Sequence, residues 1–300
     1  MVSIRAALVN RLLFLTGVKT FLSNPDKVDD NIVKLRRKGP DLPRARYRKI
    51  FNVTETEQDG IRVFTVAPRD PDQNIKKHVL YLHGGGYLMP IAWAHWNFIG
   101  RLVMATGRSV TVPLYPLAPE HIFSETLPAM QTVFHRIAEK YGTENIAVMG
   151  DSAGGGMTLA LTHKLRDEDQ IQPEKLVLLS PWLDATGTHP DQPGIEPKDT
   201  MLAVSGLKMA GKMYAGDAPS NDIRVSPLFA NHADLPPVQV LIGTHDILLP
   251  DSQRFRDQMS KLGTPVDYRE YSGMYHVWML MAVPEGKQAM SEIAAFLAPA

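Results

Sequence analysis

Short runs rich in valine, leucine and isoleucine recur along the chain at residues 79–82, 109–112, 146–149, 176–179 and 238–242. Strands buried on both faces read this way. Residues 61–66 instead alternate as a half-exposed strand does, and 266–271 predict one more strand late in the chain. Between these runs the spacing changes to that of helices, most clearly at Met130, Val133, Phe134, Ile137 and Tyr141. Such alternation predicts an α/β protein whose mostly parallel sheet carries helices on both faces.

Two stretches fall outside this rhythm. Leu8, Leu12 and Leu15 sit at helical spacing near the start. Val28, Ile32 and Leu35 predict a second helix, with a start signal at Asn24-Pro25-Asp26 and a stop at Gly39-Pro40. The apolar run 12–18, flanked by Arg11 and Lys19, is far shorter than the ~20 residues of a membrane span, so no span is expected. No small-residue cleavage site follows it, which favours a helix packed on its own protein over a signal core or an interfacial anchor. Residues 184–226 are rich in proline, glycine and methionine without a strand signal, and read as an insertion over the sheet. The expectation is one domain over residues 1–300, capped by about 1–45 and about 184–226.

Composition narrows the chemistry. Lysine and arginine total 32, as do aspartate and glutamate, so the formal charge is zero and nucleic acid is not the expected partner. Cysteine is absent, which excludes disulfides, thiolate metal sites and a cysteine nucleophile. The histidines show no H-E-x-x-H pairing, so no catalytic metal and no cofactor are expected.

The strongest motif is Gly150-Asp151-Ser152-Ala153-Gly154, a G-x-S-x-G pattern with a strand signal before it and a helical pattern after it. That context predicts a tight strand-to-helix turn with the Ser152 hydroxyl at its tip. His83-Gly84-Gly85-Gly86 follows the 79–82 run, and its glycines let main-chain amides approach a substrate oxygen. A phosphate cradle is the competing reading, but no Lys-Ser or Lys-Thr follows. His83 itself reads as a residue that shapes the loop. A serine nucleophile needs an imidazole to take its proton and a carboxylate to orient that imidazole. Asp246 follows the 238–242 run and His276 follows the 266–271 run, giving the chain order serine, aspartate, histidine. His245 is the alternative base.

Taken together, these motifs with Tyr115-Pro116-Leu117-Ala118-Pro119-Glu120-His121, Ser180-Pro181-Trp182-Leu183-Asp184 and Gly273-Met274-Tyr275-His276 resemble the hormone-sensitive-lipase-like esterases of the α/β-hydrolase superfamily. The resemblance runs from about residue 45 onward and leans toward the branch of bacterial acetyl esterases and ε-lactone hydrolases. It implies an α/β-hydrolase fold with an eight-stranded sheet and a helical cap. It also implies an acyl-enzyme mechanism with Ser152 as nucleophile, His276 as base and Asp246 as acid. Oxyanion amides would come from Gly85, Gly86 and Ala153, and Glu120 and Asp151 would be ionic supports. Two places depart from the family's usual wording: Ile247-Leu248 follows Asp246, and Val277-Trp278 follows His276.

These readings predict a cytoplasmic carboxylesterase acting on small short-chain esters, for which a homodimer is an admissible assembly. Lactone hydrolysis by the same mechanism stays open, as does a non-catalytic ligand-binding protein on the same fold, although His276 disfavours the latter. Met201, Met209 and Met213 are candidates either for lining a substrate pocket or for packing the insertion on itself.

Overall fold

The computed structural model describes residues 2–15, 19, 28–69, 77–264 and 266–298. Eight strands form one sheet: β1 (Asn52–Gln58), β2 (Ile61–Ala67), β3 (His78–Leu82), β4 (Ser109–Pro113), β5 (Ile146–Asp151), β6 (Lys175–Leu179), β7 (Val238–Gly243) and β8 (Asp267–Tyr271). Their order is β1-β2-β4-β3-β5-β6-β7-β8. The contacts β1–β2 and β2–β4 are antiparallel and the rest are parallel.

The runs read as buried strands become β3 to β7, each within two residues of its expected limits. β1 carries no comparable signal. Its sequence, NVTETEQ, is mostly exposed, and it is an edge strand held by main-chain pairing to β2 and by ion pairs of Glu55 with Arg48 and Arg62. A strand that buries neither face leaves little hydrophobic pattern to read.

Side chains alternate across the sheet and feed two cores. Leu80, Leu82, Val148, Leu176, Leu178, Val240 and Ile242 face one side. There they meet α5 (Phe123–Tyr141), α6 (Ala153–Lys164) and α9 (Leu249–Lys261). Val79, Tyr81, Val110, Val112, Met149, Val177 and Leu179 face the other. They meet α3 (Ala45–Ile50), α4 (Trp93–Thr106) and α10 (Pro284–Leu297). Every residue from Ala153 to His163 is buried, so α6 is covered all round as a central helix is, and its two buried threonines bond back to the main chain of the helix.

Near the N-terminus lie α1 (Ile4–Leu15) and α2 (Val28–Arg37). The start signal at residues 24–26 and the last part of the 12–18 run lie outside the described residues. Ser3 anchors α1 to the other end of the chain, its amide and hydroxyl donating to Glu285 at 2.6 and 2.9 Å. Residues 184–226 contain α7 (Gln192–Ile195) and α8 (Val204–Ala215), with no strand among the described residues.

β3 fixes where a site can form. The chain leaves β3 to build β4 on one side of it, then returns to build β5 on the other. The sheet therefore changes winding direction at the β3–β5 pair, and a crevice opens beyond the carboxyl ends of those strands. His83-Gly84-Gly85-Gly86 follows one of them and Ser152 the other.

Candidate active site

Ser152 sits between β5 and α6 with φ +52° and ψ −121°, a backbone conformation costly for a residue with a side chain. Space is as tight as the backbone is strained. A Cβ at position 154 would lie 2.0 Å from the Leu82 carbonyl oxygen, and one at 150 would lie 2.2 Å from the Gly154 carbonyl oxygen. Only glycine fits at either place, so the G-x-S-x-G spacing follows from packing.

The Ser152 hydroxyl lies 2.9 Å from His276 Nε2, and His276 Nδ1 lies 2.8 Å from Asp246 Oδ2. All three residues are buried. The remaining Asp246 oxygen accepts the Leu248 amide at 3.0 Å. These are groups from three distant parts of the chain, and the structure brings all three together. His245 takes no part: its ring makes no hydrogen bond to Ser152 or Asp246, and burial and Lys198 lower its pKa. For His276, burial alone would depress the imidazole. The charge and hydrogen bond of Asp246, with Asp199 and Asp151 further off, outweigh that and hold its pKa above the ordinary value.

Beside Ser152, the Gly85 and Gly86 amides donate to no acceptor among the described residues, while the Gly85 carbonyl accepts the amides of Leu88 and Met89. Gly85 has φ +123°, and a Cβ there would meet the Met89 carbonyl oxygen at 2.7 Å. Ala153 opens α6, so its amide is one of the four N–H groups a helix leaves unpaired. Three main-chain donors from two loops are thus available near one hydroxyl.

The supports of these loops are specific. Asp151 Oδ1 accepts the Tyr81 hydroxyl at 2.5 Å and the Gly84 amide at 3.0 Å, and Oδ2 lies 3.4 Å from His95 Nε2. Burial would raise the Asp151 pKa, but these partners outweigh it and hold the carboxyl below its ordinary range. His83 stacks on Tyr115 at 4.2 Å between ring centroids, its Nδ1 lies 2.7 Å from the Gly84 carbonyl oxygen, and its carbonyl accepts the Tyr115 hydroxyl at 2.6 Å. Burial pushes its pKa down to about 3, so it is a neutral structural ring. Glu120 is an exposed partner of Arg36, whose guanidinium also donates to the Leu88 and Ala118 carbonyls and so ties α2 to the glycine loop.

A cavity opens over Ser152 and His276. Its lining includes Gly85, Gly86, Leu88 and Met89 from the glycine loop and Met201, Leu202, Ala203, Leu207 and Ala210 from the 184–226 segment. Its polar lining residues are His95, Asp151, Ser152 and His276. Met201 lines this cavity, whereas Met209 and Met213 pack against the hydrophobic core.

Two residues of the site escape sequence reasoning: Asp199, and His95 beside Asp151. Asp199 is buried, with one oxygen accepting the amides of Met201 and Leu202 at 2.8 Å each and the other accepting the Ile247 amide at 3.0 Å. Burial first, and the Asp246 charge second, push its pKa up to about 6. Its one sequence signal is an acid just ahead of the apolar pair Met201-Leu202.

A family model described as an alpha/beta hydrolase fold matches residues 79–280. The chain belongs to the α/β-hydrolase fold family. An esterase of Acinetobacter venetianus is 33% identical to this α/β hydrolase over 222 residues, 73% of each chain. An acetyl-hydrolase of Streptomyces hygroscopicus is 29% identical over 76% of this chain and 77% of its own. A solved esterase/lipase from an uncultured bacterium matches with a TM-score of 0.86 at 26% identity over 98% of each chain. An esterase of the bacterial hormone-sensitive lipase family matches at 0.77 and 26% identity, over 91% of this chain and 98% of its own. This α/β hydrolase is a serine ester hydrolase of the hormone-sensitive-lipase-like group.

Proposed function

We propose that this hydrolase cleaves small, neutral, short-chain carboxylic esters through an acyl-enzyme on Ser152. The observation that carries this reading is the unbroken line from the Ser152 hydroxyl through His276 to Asp246, with spacings of 2.9 and 2.8 Å. His276 Nε2 takes the hydroxyl proton as Ser152 Oγ bonds to the ester carbonyl carbon. Asp246 stabilises the imidazolium so formed without taking its proton. The negative charge that moves onto the carbonyl oxygen is met by the amides of Gly85, Gly86 and Ala153. As the carbonyl re-forms, the bond to the leaving oxygen breaks and His276 delivers its proton there. Water, deprotonated by the same imidazole, then releases the acid and restores the hydroxyl.

Size and charge preference follow from the cavity. Leucine, alanine and methionine side chains make up the part of the lining that the 184–226 segment supplies, and the ionisable groups of the lining are already engaged with one another or with the protein. Asp151 is held by Tyr81, Gly84 and His95, and His276 by Asp246. In this reading residues 184–226 and the N-terminal helices form the cap of a single domain.

The test is turnover of a p-nitrophenyl ester series. Acetate to butyrate should be the preferred range, and Ser152→Ala should lower kcat by on the order of 10⁶-fold. Undiminished turnover by that variant refutes the reading.

A further inference from the structure

The helix α1 is apolar on two opposite faces, and the described residues cover only one of them. Ala6, Val9 and Leu13, three and four residues apart, lie against the core that α10 helps to form. The outward face carries Ile4, Leu8, Leu12 and Leu15 at spacings of four, four and three, which are 90%, 58%, 54% and 71% exposed. Phe14 extends the row and is 63% exposed. Single exposed apolar side chains are common on protein surfaces, but five on the outward face of one helix mark an interaction site. The helix is also held in place. Ser3 ties its start to Glu285, and the Thr200 hydroxyl donates to Asn10 Oδ1 at 2.5 Å.

Charge selects the occupant. Arg5 and Arg11 are the only charged side chains of α1, both are exposed, and the helix has no acidic residue. Neither arginine is paired with a carboxylate among the described residues. At 100° per residue Arg11 rises from within the apolar row and Arg5 from its edge. A purely apolar partner would bury Arg11 without a counter-ion. A second copy of this chain, meeting the first through a two-fold axis, would set two acid-free helices with four arginines against each other. An anionic lipid surface meets both demands. Its acyl boundary takes the leucine row, and its phosphates take guanidinium groups that reach outward from their own alkyl stems.

We propose that the outer face of α1 docks this enzyme on anionic lipid surfaces. Docking stands on the helix alone. Its use, delivery of esters that partition into the lipid, rests on the ester-hydrolase reading. The path is short, because Thr200, bonded to Asn10, adjoins Met201 in the wall of the cavity over Ser152.

The experiment is co-sedimentation of the full chain with phosphatidylcholine vesicles, with and without about a third of phosphatidylglycerol. The wild type should sediment with the anionic vesicles and be released as salt rises. Leu8→Ser with Leu12→Ser should weaken binding by on the order of 100-fold. Arg5→Ser with Arg11→Ser should weaken it on anionic vesicles by roughly 30-fold and remove the difference between the two compositions. Hydrolysis of water-soluble p-nitrophenyl acetate should be the same in all three proteins, so a failure of docking is distinguishable from a failure of catalysis. The proposal is overturned if the wild type ignores anionic vesicles or if the leucine variant binds them equally well. A dimer seen by light scattering that the same leucine substitutions dissolve would assign the face to a second copy and overturn it too.

Discussion

Asp199 Oδ2 accepts the amide of Ile247 at 3.0 Å, which fixes a carboxylate from the 184–226 segment onto the loop that carries Asp246. The other Asp199 oxygen gathers the amides of Met201 and Leu202, where the wall of the cavity begins. One buried side chain therefore joins the wall over the substrate space to the acid that orients His276.

Asp199→Asn should separate this positioning role from simple packing. Asp199 helps to raise the His276 pKa. Removing its charge favours the neutral imidazole, so the acid limb of kcat/KM should move to lower pH, with a loss of roughly tenfold at the plateau as the amide contacts weaken. An acid limb that stays in place would show that Asp199 has no electrostatic hold on the base.

Stability should depend on pH through a second buried carboxyl. Asp251 is fully buried, and burial followed by the Asp184 charge pushes its pKa up to about 7. Arg254, 3.1 Å from Asp251 and 3.6 Å from Asp184, serves both acids, and Gln192 donates to Asp251 at 3.2 Å. An acid whose folded-state pKa exceeds its unfolded one stabilises the fold below the unfolded value. That stability is lost as pH rises through about 7. Asp251→Asn should therefore raise Tm at pH 8 by about 2–4 °C and change it little at pH 5. Equal shifts at both pH values in thermal melts would contradict this.

Gly154→Ala should be far more damaging than a methyl group usually is. The new Cβ would press on the main chain of β3, which has no rotamer to change. A loss of at least about 3 kcal/mol is expected in denaturant unfolding. A variant that melts with the wild type would mean the elbow is looser than its contacts imply.

Charge on the substrate should be penalised. Matched esters that differ only in a free carboxylate on the acyl chain should differ in kcat/KM by about 10²-fold or more in favour of the neutral one, because the cavity offers that carboxylate no cation. Comparable rates for the pair would place an unrecognised cation at the site.

Much of the site is legible in the sequence because its chemistry is bound to local structure. The glycines around Ser152 are required by contacts with β3 and α6, Gly85 and Gly86 have a positive φ, and Gly84 is pressed by Asp151, so both loops leave motifs. Asp246 follows the strand that the apolar run 238–242 reveals, and His276 follows the strand read at 266–271. The Asp199–Ile247 and His95–Asp151 contacts leave no such trace, because the partners lie 48 and 56 residues apart and no local spacing links them. The polar edge strand β1 is hidden for another reason: its stability comes from main-chain pairing rather than from burial of side chains.

The most direct measurement is intact and peptide mass spectrometry after exposure to an organophosphate that mimics the tetrahedral ester intermediate. Wild-type protein should gain one adduct per chain, on the peptide holding Ser152, and Ser152→Ala should gain none. Adducts that persist in that variant, or a wild type that hydrolyses esters yet takes up no label, would contradict the account.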